Sequence, residues 1–180
     1  MALTSTIHSF AMQLADVDRG VYETLELRVA QHPSETAEFM VTRLLAYGLE
    51  YGEGIAFTEG VAAVDEPAVL ARDLTGRITA WIEVGAPDPE RLHRGSKLAR
   101  RAAVYALRDP AQWIAQAVGR KLHRAADIPV YWFGRGFVES VAAKLQRRNT
   151  LSLSVTERQL YLDLNGHGFA SEIIERRLAG

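Results

Sequence analysis

The stretch from Glu66 to Lys97 constrains this chain most, because two strand patterns and a capped helix follow one another there with almost no slack. Ile78, Ala80, Ile82 and Val84 alternate with Thr79, Trp81 and Glu83, the period of a strand whose branched residues share one face. Thr75-Gly76 supplies a turn before that strand. Asp88 as N-cap and Pro89 at the first helical position announce a helix after it. Such a hairpin returns the residues that open its first strand, Asp65, Glu66 and Pro67, to the end of the second strand, where Glu83 stands. Two carboxylates brought together in this way are a starting point for a divalent-metal site that cuts phosphodiesters.

Strand geometry selects between the acids. Asp73 sits at the far end of the hairpin, roughly 15–20 Å from Glu83 at ~3.3 Å per residue, and reads as a turn residue. An even loop, Thr75-Gly76, sets position 68 opposite Glu83 and puts Glu66 on its face, whereas an odd loop brings Asp65 there instead. The even register pairs Val69 with Ile82, Ala71 with Ala80 and Arg72 with Thr79. Apolar then meets apolar, which favours Glu66.

Around this hairpin the chain carries one-sided patterns that need partners. Phe10, Met12 and Leu14, a turn at Asp16–Gly20, then Leu25, Leu27 and Val29 predict an N-terminal antiparallel hairpin. Ser34 as N-cap opens a helix to about Glu50, with Ala37, Met40, Val41, Leu44 and Leu45 on its apolar stripe. Glu38 lies at the edge of that stripe, the acid of this helix best placed to reach a site at a sheet rim, while Glu35 points further out. A short strand follows at Gly54–Phe57. After the central hairpin, a helix runs from Asp88 to about Arg101 with Leu92, Gly95, Ala99 and Ala102 inward, and Ala102–Leu107 forms a buried strand parallel to the Glu83 strand. A helix from Asp109-Pro110 to about Arg124, an edge strand at Ile128–Phe133 and a turn at Gly134–Phe137 into a helix over 138–147 come next. Leu151, Leu153 and Val155 with Leu160, Leu162 and Leu164 form a second hairpin. It is expected to join the first in one antiparallel layer, and Gly166-His167-Gly168 begins a tail that adds a strand or a short helix.

Composition narrows the chemistry. The 180 residues contain no cysteine, which excludes disulfides, thiolate zinc sites and cysteine nucleophiles. The five histidines show no pair at metal-ligand spacing on one element. No apolar run is long enough to cross a bilayer, and Met1 to Thr6 lack the layout of a secretory signal, so a cytoplasmic protein without membrane attachment is expected. The formal charge of −1 hides a segregation. Residues 91–148 hold thirteen Lys/Arg against three acids, and the rest holds eight against nineteen. A basic face for nucleic acid beside an acidic site, or ordinary solvated helix faces, both fit that distribution.

The order from Ser34 to Leu107 is therefore helix, three strands, helix, strand. The run His32-Pro33-Ser34-Glu35-Thr36, the Glu66-Pro67 pair, the strand Trp81-Ile82-Glu83-Val84-Gly85 and the following Pro87-Asp88 resemble the YaeQ family of bacterial proteins, over nearly the whole chain. The resemblance implies a single α/β (α+β) domain over 1–180. Its restriction-endonuclease-like αβββαβ core, a PD-(D/E)XK variant, lies at 34–133, with the accessory antiparallel layer at 3–30 and 150–178. In active nucleases of that fold one acid opens the hairpin, a second ends the next strand, and a lysine stands two residues beyond. Here Ala68 follows Pro67, so the first role passes to Glu66. Glu83 matches the second, and Gly85 stands where the lysine belongs. Lys97, Arg94, His93 or Arg100 on the next helix would have to reach back in its place. The site so implied has Glu66 and Glu83 on a Mg²⁺ or Mn²⁺ ion, Glu38 and the Val84 carbonyl nearby, and Lys97 as the cation. A positioned charge of this kind is worth ~3–4 kcal/mol in a barrier. A weak nuclease, a binder without catalysis and a repurposed scaffold stay open, with nucleic acid as the expected partner of residues 91–148.

Overall fold

Alternating apolar residues at both ends of the chain and denser apolar runs in its middle build two differently patterned sets of strands. The computed structural model describes residues 4–59 and 64–179. Met1, Ala2 and Leu3, which belong to the run read for a leader, lie outside the described residues, Leu3 being also the first residue of the expected accessory layer. In chain order the elements are β1 (Thr6–Asp16), β2 (Val21–Gln31), α1 (Ala37–Leu49), β3 (Ile55–Phe57), β4 (Val69–Arg72), β5 (Ile78–Val84) and α2 (Pro89–Leu98). They continue as β6 (Arg101–Tyr105), α3 (Ala111–Val118), β7 (Pro129–Phe133), α4 (Phe137–Ala142), β8 (Arg148–Thr156), β9 (Gln159–Leu164) and β10 (His167–Arg177). The fold is mixed α and β, mostly sheet with few helices. It divides into unit 1, Met1–Val41 with Phe133–Ile173, and unit 2, Thr42–Trp132 with Ile174–Gly180.

In unit 1 the strands run in the order β2, β1, β8, β9, β10. Phe10, Met12 and Leu14 of β1 alternate inward beside Leu151, Leu153 and Val155 of β8 and Leu160, Leu162 and Leu164 of β9, all buried. The two hairpins do join, but through their first strands, and β1 and β8 run parallel, Met12 facing Leu151 and Leu14 facing Leu153. The layer is therefore mixed, which corrects the antiparallel expectation: each hairpin is antiparallel within itself, and its one-sided alternation does not fix the direction in which it meets the other. The turns lock together as well. Asp18 accepts the N–H groups of Glu157 and Arg158, the two left-handed residues of the β8–β9 turn, whose positive φ aims both amides at one carboxylate. The tail adds the strand β10 rather than a helix.

α1 starts two residues later than its signals suggest. Thr36 Oγ1 accepts the Phe39 N–H and is the capping group, whereas the Ser34 hydroxyl is taken by His32 Nδ1 at 2.7 Å. Glu35 is buried, not outward; its carboxylate accepts the His32 N–H and closes the same turn.

In unit 2 the sheet order is β7, β6, β5, β4, β3, with β5, β6 and β7 parallel and β3, β4 and β5 antiparallel. Val69 faces Ile82 and Ala71 faces Ala80, as the even register requires. Arg72 faces Ile78 instead of Thr79. The Asp73 N–H donates to Arg77 O, so the loop Leu74-Thr75-Gly76 is odd, with Gly76 at φ +84°. A bulge at Ala71/Arg72 absorbs the extra residue, Thr79, and restores the parity beyond it. The Asp73 carboxylate accepts Thr75 N–H, Thr75 Oγ–H and Arg77 N–H, a turn role; the Thr75 hydroxyl bond above all holds its pKa below the usual range.

A core of Leu70, Trp81, Leu92, Ala102, Val104, Ile114, Val130 and Leu178 unites the sheet with α2 and α3. Both helices end earlier than expected, α2 at Leu98 and α3 at Val118. Arg124, left-handed at φ +52°, donates to the Ser96 and Ala99 carbonyls and so closes the C-terminus of α2, leaving Arg101 to open β6. α4 likewise stops at Ala142 rather than 147, because Asn149 Oδ1 accepts the Gln146 N–H at the entry to β8. β7 is not an edge strand. Pro129 occupies its first position, where a missing N–H is tolerated, and the C-terminal segment follows beside it, Leu178 N–H donating to Ile128 O.

Candidate functional site

Unit 2 places Glu83 on the same face of β5 as Trp81, the face that α2 covers. Asp88 caps α2 by accepting the Glu90 N–H, and Pro89 presets its first turn, which brings Arg91 over the end of β5. Arg91 Nε donates to Glu83 Oε1 at 2.8 Å and Nη2 to Oε2 at 2.7 Å. Trp81 Nε1–H donates to Oε1 at 3.0 Å. Glu83 is 1% exposed, so this bidentate pair is desolvated on the acid's side. Hydrogen bonding to Glu83 raises the Arg91 pKa above its ordinary value against the opposing effect of burial. Charge-assisted fork geometry of this kind is among the stronger polar contacts a protein makes.

The other expected residues are placed differently. Glu66 is exposed in the turn before β4, while Pro67 and Ala68 behind it are buried. Asp65 stands 3.8 Å from Arg94 Nη2, both largely exposed. Lys97 is exposed on α2. Glu38 lies half-buried in the first turn of α1, in unit 1. Among the described residues no three His, Asp or Glu side chains are grouped closely enough to hold a metal ion. The donor set does not fit a divalent ion in this arrangement, since both oxygens of Glu83 serve a guanidinium. Gly85 has φ +86° and donates its N–H to Tyr105 O. A lysine there would be strained whatever its charge, which is a backbone reason for glycine at that position.

A second polar cluster in unit 2 escaped the sequence. Glu50, just past α1, accepts a fork from Arg101 Nε and Nη2 at 2.9 and 2.8 Å and the Tyr105 hydroxyl at 2.8 Å. Arg101 also donates to Tyr131 OH. The Tyr105 and Tyr131 ring centroids lie 4.9 Å apart. Arg101 and Tyr105 are four residues apart on β6 and so share a face; that spacing, with two polar heads in a buried strand, was the available signal.

Several of the other basic residues of unit 2 lie on or beside α2. His93 Nδ1 accepts the His123 N–H, and the Arg124 bonds already described hold residues 121–124 along the helix. Lys97, Arg100, Arg120 and Lys121 are exposed there. No helix among the described residues is long and apolar enough to cross a membrane.

Comparison with known proteins matches residues 1–173 to the family described as YaeQ protein. The chain is 32% identical over 163 residues to the uncharacterised YaeQ proteins of Salmonella typhi and of Escherichia coli (strain K12), covering 90% of each partner. Its structure is similar to the crystal structure of the YaeQ protein from Pseudomonas syringae, at TM-score 0.87 and 31% identity over 98% of this chain and 97% of that one. It is equally similar to that from Xanthomonas axonopodis pv. citri, at TM-score 0.87 and 29% identity over 98% and 100%. The chain belongs to the YaeQ family.

Proposed function

We propose that this protein is a nucleic-acid-binding module on a restriction-endonuclease-like scaffold, working without a metal ion and without hydrolysis. The PD-(D/E)XK part of the reading rests on the order α1, β3, β4, β5, α2, β6 and on the hairpin register. The observation that carries binding over cleavage is the Arg91 fork on both Glu83 oxygens. A Mg²⁺ or Mn²⁺ ion shared by Glu66 and Glu83 has to displace that guanidinium first, and the desolvated carboxylate then loses its best partner. Lys97, Arg100 and Lys121, exposed beside α2, supply the phosphate contacts, Lys121 from a loop that Arg124 and the His93–His123 bond tie to the helix.

Fluorescence anisotropy with labelled single- and double-stranded DNA and RNA tests this. Binding is expected to weaken steeply with salt, to be the same in Mg²⁺, Mn²⁺ or chelator, and to leave the strands intact on a gel. Metal-dependent cleavage that disappears in Glu83→Gln, or the absence of any binding at low salt, overturns it.

A further inference from the structure

β2 is the outermost strand of the unit 1 sheet. At eleven residues it is long for an edge, and an edge presents a row of N–H and C=O groups to any extended segment that matches it. Its inward residues are incompletely covered: Val29 is buried, but Leu25 and Leu27 are only half-buried. Its outward residues Tyr22, Thr24, Glu26 and Arg28 are exposed, Tyr22 at 62%.

We propose that β2 pairs with β2 of a second copy of this chain, antiparallel about a two-fold axis at Leu27. A two-fold axis normal to the sheet keeps the inner face of one copy continuous with the inner face of the other, so each residue meets one of its own parity. Few registers satisfy that rule, and charge selects among them. Centring on Glu26 stacks two carboxylates, centring on Arg28 stacks two guanidinium groups, and centring on Leu25 sets Glu23 against the apolar Leu27. Centring on Leu27 sets Glu26 against Arg28 of the second copy, twice. It also sets Leu25 against Val29, twice, and Leu27 against its own copy. Every cross-strand contact over residues 25–29 is then either an opposite-charge pair or an apolar pair. The same two charges that repel a slipped register admit this one.

Sedimentation equilibrium over a concentration series checks the proposal, with circular dichroism to show that each variant is folded. The wild type is expected to form a dimer, and Glu26→Arg and Arg28→Glu each to weaken it about tenfold or more, since each reversal turns two attractive pairs into repulsive ones. The two single variants mixed in equal amounts are expected to associate with each other, because every 26–28 contact is again of opposite charge, and the doubly swapped E26R/R28E chain is expected to recover wild-type affinity. A wild type that stays monomeric at sub-millimolar concentration overturns the proposal. So does a dimer that survives both single reversals, which places the contact elsewhere, or a failure of the mixture to associate, which rejects the register.

Discussion

Truncating Arg91 leaves the Glu83 carboxylate, 1% exposed against 26% for the Arg91 side chain, with the Trp81 indole N–H as its one remaining donor among the described residues. We therefore expect Arg91→Ala to destabilise the protein by roughly 3–5 kcal/mol, the usual consequence of stranding a buried charge. Glu83→Gln is expected to cost less, about 1–3 kcal/mol, because the guanidinium left behind still reaches water. Urea unfolding of both variants measures the difference, and equal losses would show that the pair is not what ties α2 to β5. Tyr105 responds to pH in the opposite range from a carboxylate. Burial, and then the charges of Glu50 and Tyr131, push its hydroxyl well above the ordinary tyrosine value of 10.0; Tyr47 is raised too, by burial and then by Tyr51. A pKa raised in the folded state means that the folded chain keeps a proton that the unfolded chain releases. The stability it contributes is complete below about pH 10 and falls as the pH climbs further. Urea midpoints followed from neutral to strongly alkaline pH are expected to drop above that point, and Tyr105→Phe is expected to flatten the drop.

α2 shows what an element inherits from near and from far. A Cβ on Gly95 would meet the Trp81 ring at 2.3 Å, so this glycine lets the helix lie directly on the indole that also holds Glu83. Gly95→Ala is expected to push α2 off the sheet and to cost about 1–3 kcal/mol despite the better helix propensity of alanine. A thermal melt that shows no loss would mean that Trp81 re-seats at no cost. The start of this helix was readable in Asp88 and Pro89 because a cap acts over three residues. Its end was not, because Arg124 closes it from a separate loop and no periodicity carries that contact. The β4–β5 register was readable from apolar matching at Val69 and Ala71. The bulge that rescues it was not, since an odd loop and a bulge together leave the same parity as an even loop alone. The junction of the two hairpins was legible as a need for cover but silent on direction, which one-sided alternation does not encode. At the site, alternation placed Glu83 on the face opposite Ile82 and Val84, yet Arg91 stands eight residues later across a turn, a spacing that belongs to neither strand nor helix. The Glu50 cluster was hidden for the same reason, its partners lying 51 and 55 residues away.

Over the whole molecule, the thirteen basic residues of the 91–148 block split between the units, nine in unit 2 and four in unit 1. Folding spends part of that charge internally: Arg91 on Glu83, Arg101 on Glu50, Arg94 loosely on Asp65, and Arg124 on the carbonyls that end α2. A count of cations along the sequence thus overstates the charge offered to a polyanion, and the residues that remain are the ones to test. If Lys97, Arg100 and Lys121 contact phosphates, each alanine substitution removes one displaced counterion. The plot of log affinity against log salt should then become shallower by roughly 0.7–0.9 per residue. Arg135→Ala and Lys144→Ala, exposed in unit 1, should leave that slope unchanged. Arg101→Ala should lower stability through the stranded Glu50 carboxylate while leaving the slope intact, which separates a cation that holds the fold from one that meets a ligand. Slopes that fall equally for the unit 1 and unit 2 variants would mean that the nucleic acid responds to net charge alone and that the surface beside α2 has no special part in holding it.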